Sequence, residues 1–316
     1  MNAVRWVGGC LAVVLAAGCT DSGLEARQTA PVTPGQQRSA LLVGTPGLVR
    51  DLQPTPPPSP GVSGHPGPFA QVGTTRFFVA SDPMHGAELW KTDGTPGGTV
   101  LVTDIVPGAG NGGIRELTAA HGVLYFLARD TVFVDRLWRS DGTAEGTGPV
   151  FTDPSFFPHV TELEAVDGTL YLSAAQSRGT GTHLWASDGT REGTRLLKAF
   201  SPEAGSEPLG LRGLDGRLHF TANDGVHGRE LWVTDGTAAG TRLSLDIRPG
   251  APSSFPYGLA TANGKLYFVA DDGVHGSEPW KVFEDRPRRV ADLVPGGGST
   301  PIEPGVGPFD ADRKSV

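Results

Sequence analysis

Three short stretches of the form Asp-x-x-His-Gly-x-Glu bring chemistry-bearing side chains together: Asp82, His85 and Glu88; Asp224, His227 and Glu230; Asp272, His275 and Glu278. A divalent cation is what such a set could hold, the carboxylates favouring calcium and the imidazole drawing towards zinc or another transition metal. Two further copies break the set, reading Asp130, Phe133, Arg136 and Ser177, Thr180, His183. Glycine-rich loops also use His and Glu to satisfy backbone groups. That structural use is the expectation adopted here, with no metal, no cofactor and no catalytic residue assigned. A nucleophile motif such as Gly-x-Ser-x-Gly is missing, and the cysteines are Cys10 and Cys19 alone. Carboxylate pairs recur with the repeat, whereas a catalytic pair should be singular.

The elements that position these stretches repeat as well. Just after each stands a tryptophan, at Trp90, Trp138, Trp185, Trp232 and Trp280, at intervals of 48, 47, 47 and 48 residues. A fixed period of this length marks a stacked repeat architecture rather than two independent domains. In each unit an apolar run, an X-Gly pair and a second apolar run come first. The pairs His121-Gly122, Asp167-Gly168, Asp215-Gly216 and Asn263-Gly264 are hairpin signals, because both central residues of a type I′ turn need positive φ. The second run, for example Leu266 to Ala270, is apolar on both faces and so predicts a strand buried within a stack of sheets.

The tryptophan strand alternates, and Asp-Gly-Thr follows it at Asp93, Asp141, Asp188 and Asp235, closed by a Gly-Thr pair. The carboxylate there can accept backbone N–H groups further on, while glycine supplies the unusual dihedral. A fourth strand completes the unit, and in the fifth unit the strands are expected at 257–261, 265–270, 278–282 and 289–293. Four antiparallel strands per 47 residues predict an all-β protein, a β-propeller of about five four-stranded blades, with a partial sixth as an open alternative. Leu48 to Leu52 matches the fourth-strand pattern of Leu101 to Ile105, and 306–310 offers a second spare strand.

The pattern Glu-Leu-Trp-x-x-Asp-Gly-Thr at 88–95 and 230–237, degenerate at Arg136, His183 and Glu278, resembles the ELWxxDGT repeat family of exported or lipid-anchored bacterial proteins. The resemblance covers roughly residues 48 to 300 and implies a cell-envelope setting, with no general enzymatic activity attached. The turn is also similar to the Asp-box hairpin of sialidase-like propellers, although the full order of that motif is not met.

At the N-terminus, Arg5 precedes an apolar run from Val7 to Ala17 and then Gly18-Cys19. This run is too short to span a bilayer and reads as a signal peptide, residues 1–18, with Cys19 as a lipidated N-terminus. Residues 19–40 are expected to be a polar tether, and 41–316 a single repeat domain with a proline-rich insertion at 53–68. Thr20 after the cysteine favours an outer-membrane or cell-surface address. The chain carries a net charge of −8 and shows no lysine or arginine cluster, so nucleic acid is not an expected partner. Membrane association is expected through the lipid anchor only. The functional expectation is a noncatalytic binding scaffold for an envelope protein or polysaccharide, engaging it through loops that differ between blades. A sialidase- or glycosidase-like hydrolase is the alternative.

Overall fold

The computed structural model describes residues 66–67, 69–130, 135–153, 159–176, 181–200, 205–283, 286–293 and 295. Cys19, the tether, the strand at 48–52, nearly all of the insertion at 53–68 and the segment 306–310 lie outside these residues. Among the described residues every regular element is a strand. Blade one comprises β1 (Phe69–Val72), β2 (Thr75–Asp82), β3 (Gly86–Thr92) and β4 (Val100–Thr103). Blade two is β5 (Arg115–Ala120), β6 (Val123–Arg129), β7 (Asp135–Ser140) and β8 (Gly148–Pro149). Blade three is β9 (His159–Val166), β10 (Thr169–Ala175), β11 (His183–Ser187) and β12 (Arg195–Lys198). Blade four is β13 (Leu209–Leu214), β14 (Arg217–Asn223), β15 (Arg229–Thr234) and β16 (Arg242–Leu245). Blade five is β17 (Tyr257–Ala262), β18 (Lys265–Asp271), β19 (Ser277–Phe283) and β20 (Arg286–Arg289).

Each blade is a four-stranded antiparallel meander in sequence order, the propeller arrangement expected from the period. His121, Asp167, Asp215 and Asn263 all have φ between +47° and +51°, as type I′ hairpins require. One boundary differs: the last strand is Arg286–Arg289, a few residues ahead of the expected 289–293. Without an Asp-Gly-Thr turn the chain reverses at once, and Phe283 pairs directly with Arg286.

The first strands of successive blades, β1, β5, β9, β13 and β17, neighbour one another and line the axial side. Sheets are glued by alternate faces of the strands. Trp232, Phe220 and Leu218 of blade four pack on Tyr171, Leu184 and Ala186 of blade three, while Leu231, on the opposite face, packs with Phe268 and Trp280 of blade five. The same division recurs at the other junctions, with Phe77 and Leu89 against Trp138, and Leu127 and Leu137 against Trp185. Burying both faces of every second strand is what makes those strands continuously apolar.

Candidate functional site

The Asp-x-x-His-Gly-x-Glu stretches divide into two separate devices. Asp82 accepts the Met84 and His85 backbone N–H groups at 2.8 and 2.7 Å, and its other oxygen lies 2.8 Å from His85 Nδ1. Asp224 with His227 and Asp272 with His275 repeat this pairing at 2.8 Å. The side-chain bond to Asp82 or Asp224 raises the affinity of His85 and His227 for a proton. Each glutamate turns away from its histidine into the protein. Glu88, Glu230 and Glu278 are wholly buried. There they accept backbone N–H groups of the chain that leaves the fourth strand: Ile105 and Val106 for Glu88, Ile247 and Ser254 for Glu230, and Leu293 for Glu278.

Blade three confirms this use, because His183 at the same place receives the Phe200 N–H on Nδ1 at 3.2 Å. Burial lowers the His183 pKa and so favours the neutral ring that this requires. In blade two Arg136 occupies the position and pairs with Asp130 at 3.3 Å. Among the described residues no group of three His, Cys, Asp or Glu side chains is placed to hold a metal ion. Sequence reasoning missed a companion: Asp104, Asp246 and Asp292 follow the fourth strand in the three blades that carry the Asp–His pair, each with one buried oxygen that has no hydrogen-bond partner among the described residues. Their recurrence in the Asp-Ile/Leu pattern was visible in the sequence; their coupling to the dyads was not.

The Asp-Gly-Thr segment is a closed hydrogen-bond circuit. Asp235 Oδ1 accepts from Thr237 N–H at 2.9 Å and Thr237 Oγ1–H at 2.7 Å; Thr237 Oγ1 accepts Gly240 N–H, and Thr241 donates to Thr237 O. Asp93, Asp141 and Asp188 repeat it, and the bond from the threonine hydroxyl holds each carboxyl below the ordinary aspartate range. A methyl group at Gly240 would lie 2.0 Å from Asp235 Oδ1, which is why the closing glycine is fixed. Trp90, Trp185, Trp232 and Trp280 donate their indole N–H to Ala80, Ala174, Ala222 and Ala270 carbonyls at 3.0–3.1 Å. Among the described residues the buried indole N–H of Trp138 has no partner. These residues build blades, and Asp93 with Gly98 also borders a surface hollow of about 360 Å³ beside Lys91.

What the blades do not share is concentrated on the axial side. Aligned on Leu117, Leu163, Leu211 and Leu259, the preceding residue is Glu116, Glu162, Gly210 and Gly258, and the following one Thr118, Glu164, Arg212 and Ala260. Blades two and three therefore present carboxylates where blades four and five present glycine. In the space this opens, a cleft of about 400 Å³ lies between β13 and β17, lined by Leu209, Phe255, Pro256, Tyr257, Leu259 and Arg229 among others. Phe255 is 63 % exposed and Tyr257 38 % exposed. Arg229 forms a wall whose N–H groups are spent on the Thr221, Gly205 and Glu207 carbonyls. It thereby anchors residues 205–207, which lead into β13. Next to the cleft, Glu162 accepts Leu211 N–H and Glu164 accepts Gly213 N–H, both at 3.1 Å.

Phe255 in the cleft and Glu116 on β5 have unfavourable backbones. Among the described residues the non-glycine positions with positive φ are the four hairpin residues, Glu116 at +56° and Phe255 at +48°. Glycine takes this conformation at the matching place in blades four and five for Glu116 (Gly210 and Gly258) and in blade two for Phe255 (Gly113), at φ between +59° and +65°. Such a conformation costs on the order of 1 kcal/mol for a side chain bearing a Cβ. Buried Glu230 clamps Ser254 by its N–H and hydroxyl, at 2.9 and 2.6 Å, so the residue between Ser254 and Pro256 is turned outwards into the cleft.

No family model matches the chain, and no curated protein matches it. Solved structures do. One of two prolyl endopeptidases studied for the role of inter-domain dynamics in catalysis and specificity is 16 % identical, with 74 % of this chain and 36 % of that chain covered, at a TM-score of 0.50. Prolyl oligopeptidase B from Galerina marginata is 14 % identical over 72 % of this chain and 34 % of its own, at 0.47. An acylaminoacyl peptidase of Pyrococcus horikoshii is 11 % identical over 66 % and 33 %, at 0.41. The chain thus spans about a third of the length of these proteins, and the part matched is the propeller domain. The likeness shows the fold. The expectation of a noncatalytic scaffold, with a glycosidase as the alternative, is corrected by this likeness, since the propeller matched at a TM-score of 0.50 is part of a prolyl endopeptidase.

Proposed function

We propose that this chain has a peptidase-related function, in which its axial cleft receives a peptide segment and holds it for hydrolysis by a catalytic unit. The observation that carries this is the cleft between β13 and β17: apolar, adjoined by Glu162 through its bond to Leu211, and lined by Phe255, which is kept in a left-handed backbone conformation that L side chains rarely adopt. Strain retained at a solvent-facing aromatic is what a binding site produces. The prolyl endopeptidase likeness supports the direction of the reading, because a propeller of this kind is part of that enzyme.

Cys19 as a lipid carrier, membership of the ELWxxDGT repeat family and an outer-membrane or cell-surface address are part of the same proposal. They place peptide capture in the envelope, and replacement of Cys19 by serine should abolish incorporation of labelled fatty acid. The central test is fluorescence polarisation with a collection of unstructured oligopeptides and, in parallel, envelope polysaccharides. Saturable peptide binding that is lost in Tyr257→Ala is expected. Binding of polysaccharide alone, or of nothing, would sink the reading.

A further inference from the structure

The two ends of the array are finished differently. In blade one an apolar row crosses the sheet from Phe69 through Phe78 and Trp90 to Leu101, with Ala80 beside it. Phe78, Ala80 and Trp90 are at most 4 % exposed. Neighbours within a sheet flank such side chains but leave the outward side of the rings open, so burial to this degree needs a further layer laid on the face. Among the described residues the cluster is confined to blade one. The outward face of blade five is covered less completely, for Tyr267 and Pro279 are half-buried where their counterparts Tyr171 and Leu184 are buried against blade four. Leu293 gives its N–H to Glu278 as Ile105 does to Glu88, yet it is 56 % exposed against 8 % for Ile105.

The interior junctions show what such a layer is made of. Each tryptophan face receives residues from the segment that forms and leaves the preceding fourth strand: Val102 and Ile105 against Phe126 and Trp138, Leu197 and Phe200 against Phe220 and Trp232. The Phe200 ring stands edge-on to Trp232 with centroids 5.3 Å apart. Leu48-Val49-Arg50-Asp51-Leu52 matches Leu101 to Ile105 position for position, so Val49 and Leu52 correspond to Val102 and Ile105. The chain is long enough for this. Ile105 precedes the next first strand by ten positions and Leu52 precedes Phe69 by seventeen, the surplus being proline-rich.

We propose that residues 48–52 dock on the tryptophan face of blade one as a surrogate fourth strand, with Val49 and Leu52 seated on Phe78 and Trp90. The segment at 306–310 does not suit that face. Its Gly305-Val306 pair corresponds to Gly258-Leu259, and first-strand leucines such as Leu259 face the preceding blade, which for Val306 is blade five. Fourth strands are the outermost of each sheet, so the clasp also sends the N-terminal tether off at the rim and leaves the axial cleft open.

The test is thiol labelling of the full chain in a Cys10→Ser, Cys19→Ser background. Leu52→Cys should react roughly tenfold or more slowly than Ser39→Cys in the tether, as a docked side chain does, and adding Trp90→Ala should bring it to the tether rate. Leu231→Cys, buried at an interior junction, should stay protected in both backgrounds and so reports that the blades remain folded. Leu52→Ala should lower the melting temperature by roughly 4–10 °C, as loss of a buried leucine does, while Leu24→Ala leaves it unchanged. Labelling of Leu52→Cys at the tether rate, or a Leu52→Ala variant as stable as the parent, would overturn the inference. So would protection of Val306→Cys that Trp90→Ala releases, which assigns the face to the C-terminal segment, or protection of Leu52→Cys that fades on dilution, which assigns the contact to a second copy.

Discussion

At the scale of single residues, protonation is the property most open to measurement. Burial pushes the Glu88 and Glu230 carboxyls up to about 7, against 4.5 for the free side chain. Folding therefore takes up protons between those values, and the stability these groups contribute is full below about pH 4.5 and lost as the pH rises towards 7. His85 and His227, raised by their aspartate partners, act in the same sense: their contribution is full below about 6.5 and lost as the pH passes the folded value. The turn aspartates, held low, lose theirs only as the pH falls below 3.8. Thermal melts should thus show greatest stability near pH 5, with a decline on the order of 1–3 kcal/mol by pH 8. A flat profile between pH 5 and 8 would contradict the buried glutamates. Tryptophan offers a second residue-level contrast. Trp232→Phe breaks the bond to Ala222 O, whereas Trp138→Phe removes an N–H that has no partner among the described residues. The former should cost about 1 kcal/mol more, read from denaturant midpoints.

Elements show why some glycines tolerate change and others do not. Gly236 has φ +88° and sits under Tyr171 of the preceding blade, whose Oη would lie 2.8 Å from an added methyl; Gly264 has φ +66° in an open hairpin with nothing nearby. Gly264→Ala should cost about 1 kcal/mol from the backbone alone, and Gly236→Ala about 2–3 kcal/mol because the tyrosine must also move. Conversely Phe255→Gly and Glu116→Gly should each stabilise by up to about 1 kcal/mol, and a loss of stability in either would show that the strain is illusory. The meander, hairpins and Asp-Gly-Thr turns were legible in the sequence because each rests on local dihedral and hydrogen-bond demands repeated several times. The glutamates of Asp-x-x-His-Gly-x-Glu were misleading for a simple reason. Asp82 and His85 share one loop, but Glu88 lies on β3, where alternation carries it inwards. The axial cleft was illegible because it depends on Leu209, Gly210, Tyr257 and Gly258 meeting across two sheets whose approach only the fold reveals.

For the whole molecule, each junction repeats one interlock, the tryptophan face of a blade against the preceding blade. Phe78, Ala80 and Trp90 form that face in blade one, where no preceding blade is described, yet they are nearly inaccessible. Trp90→Ala should accordingly destabilise about as much as Trp232→Ala, some 3–5 kcal/mol. A negligible effect would mark blade one as a frayed end. The buried glutamates carry a consequence for how such a chain can be shortened or lengthened. Glu230 belongs to blade four but grips Ile247 and Ser254, the connection into blade five. A module that can be excised or duplicated intact therefore does not coincide with a sheet: it must run from one glutamate past the linker that glutamate grips, and a splice placed between the two would leave a carboxylate buried with nothing to hold.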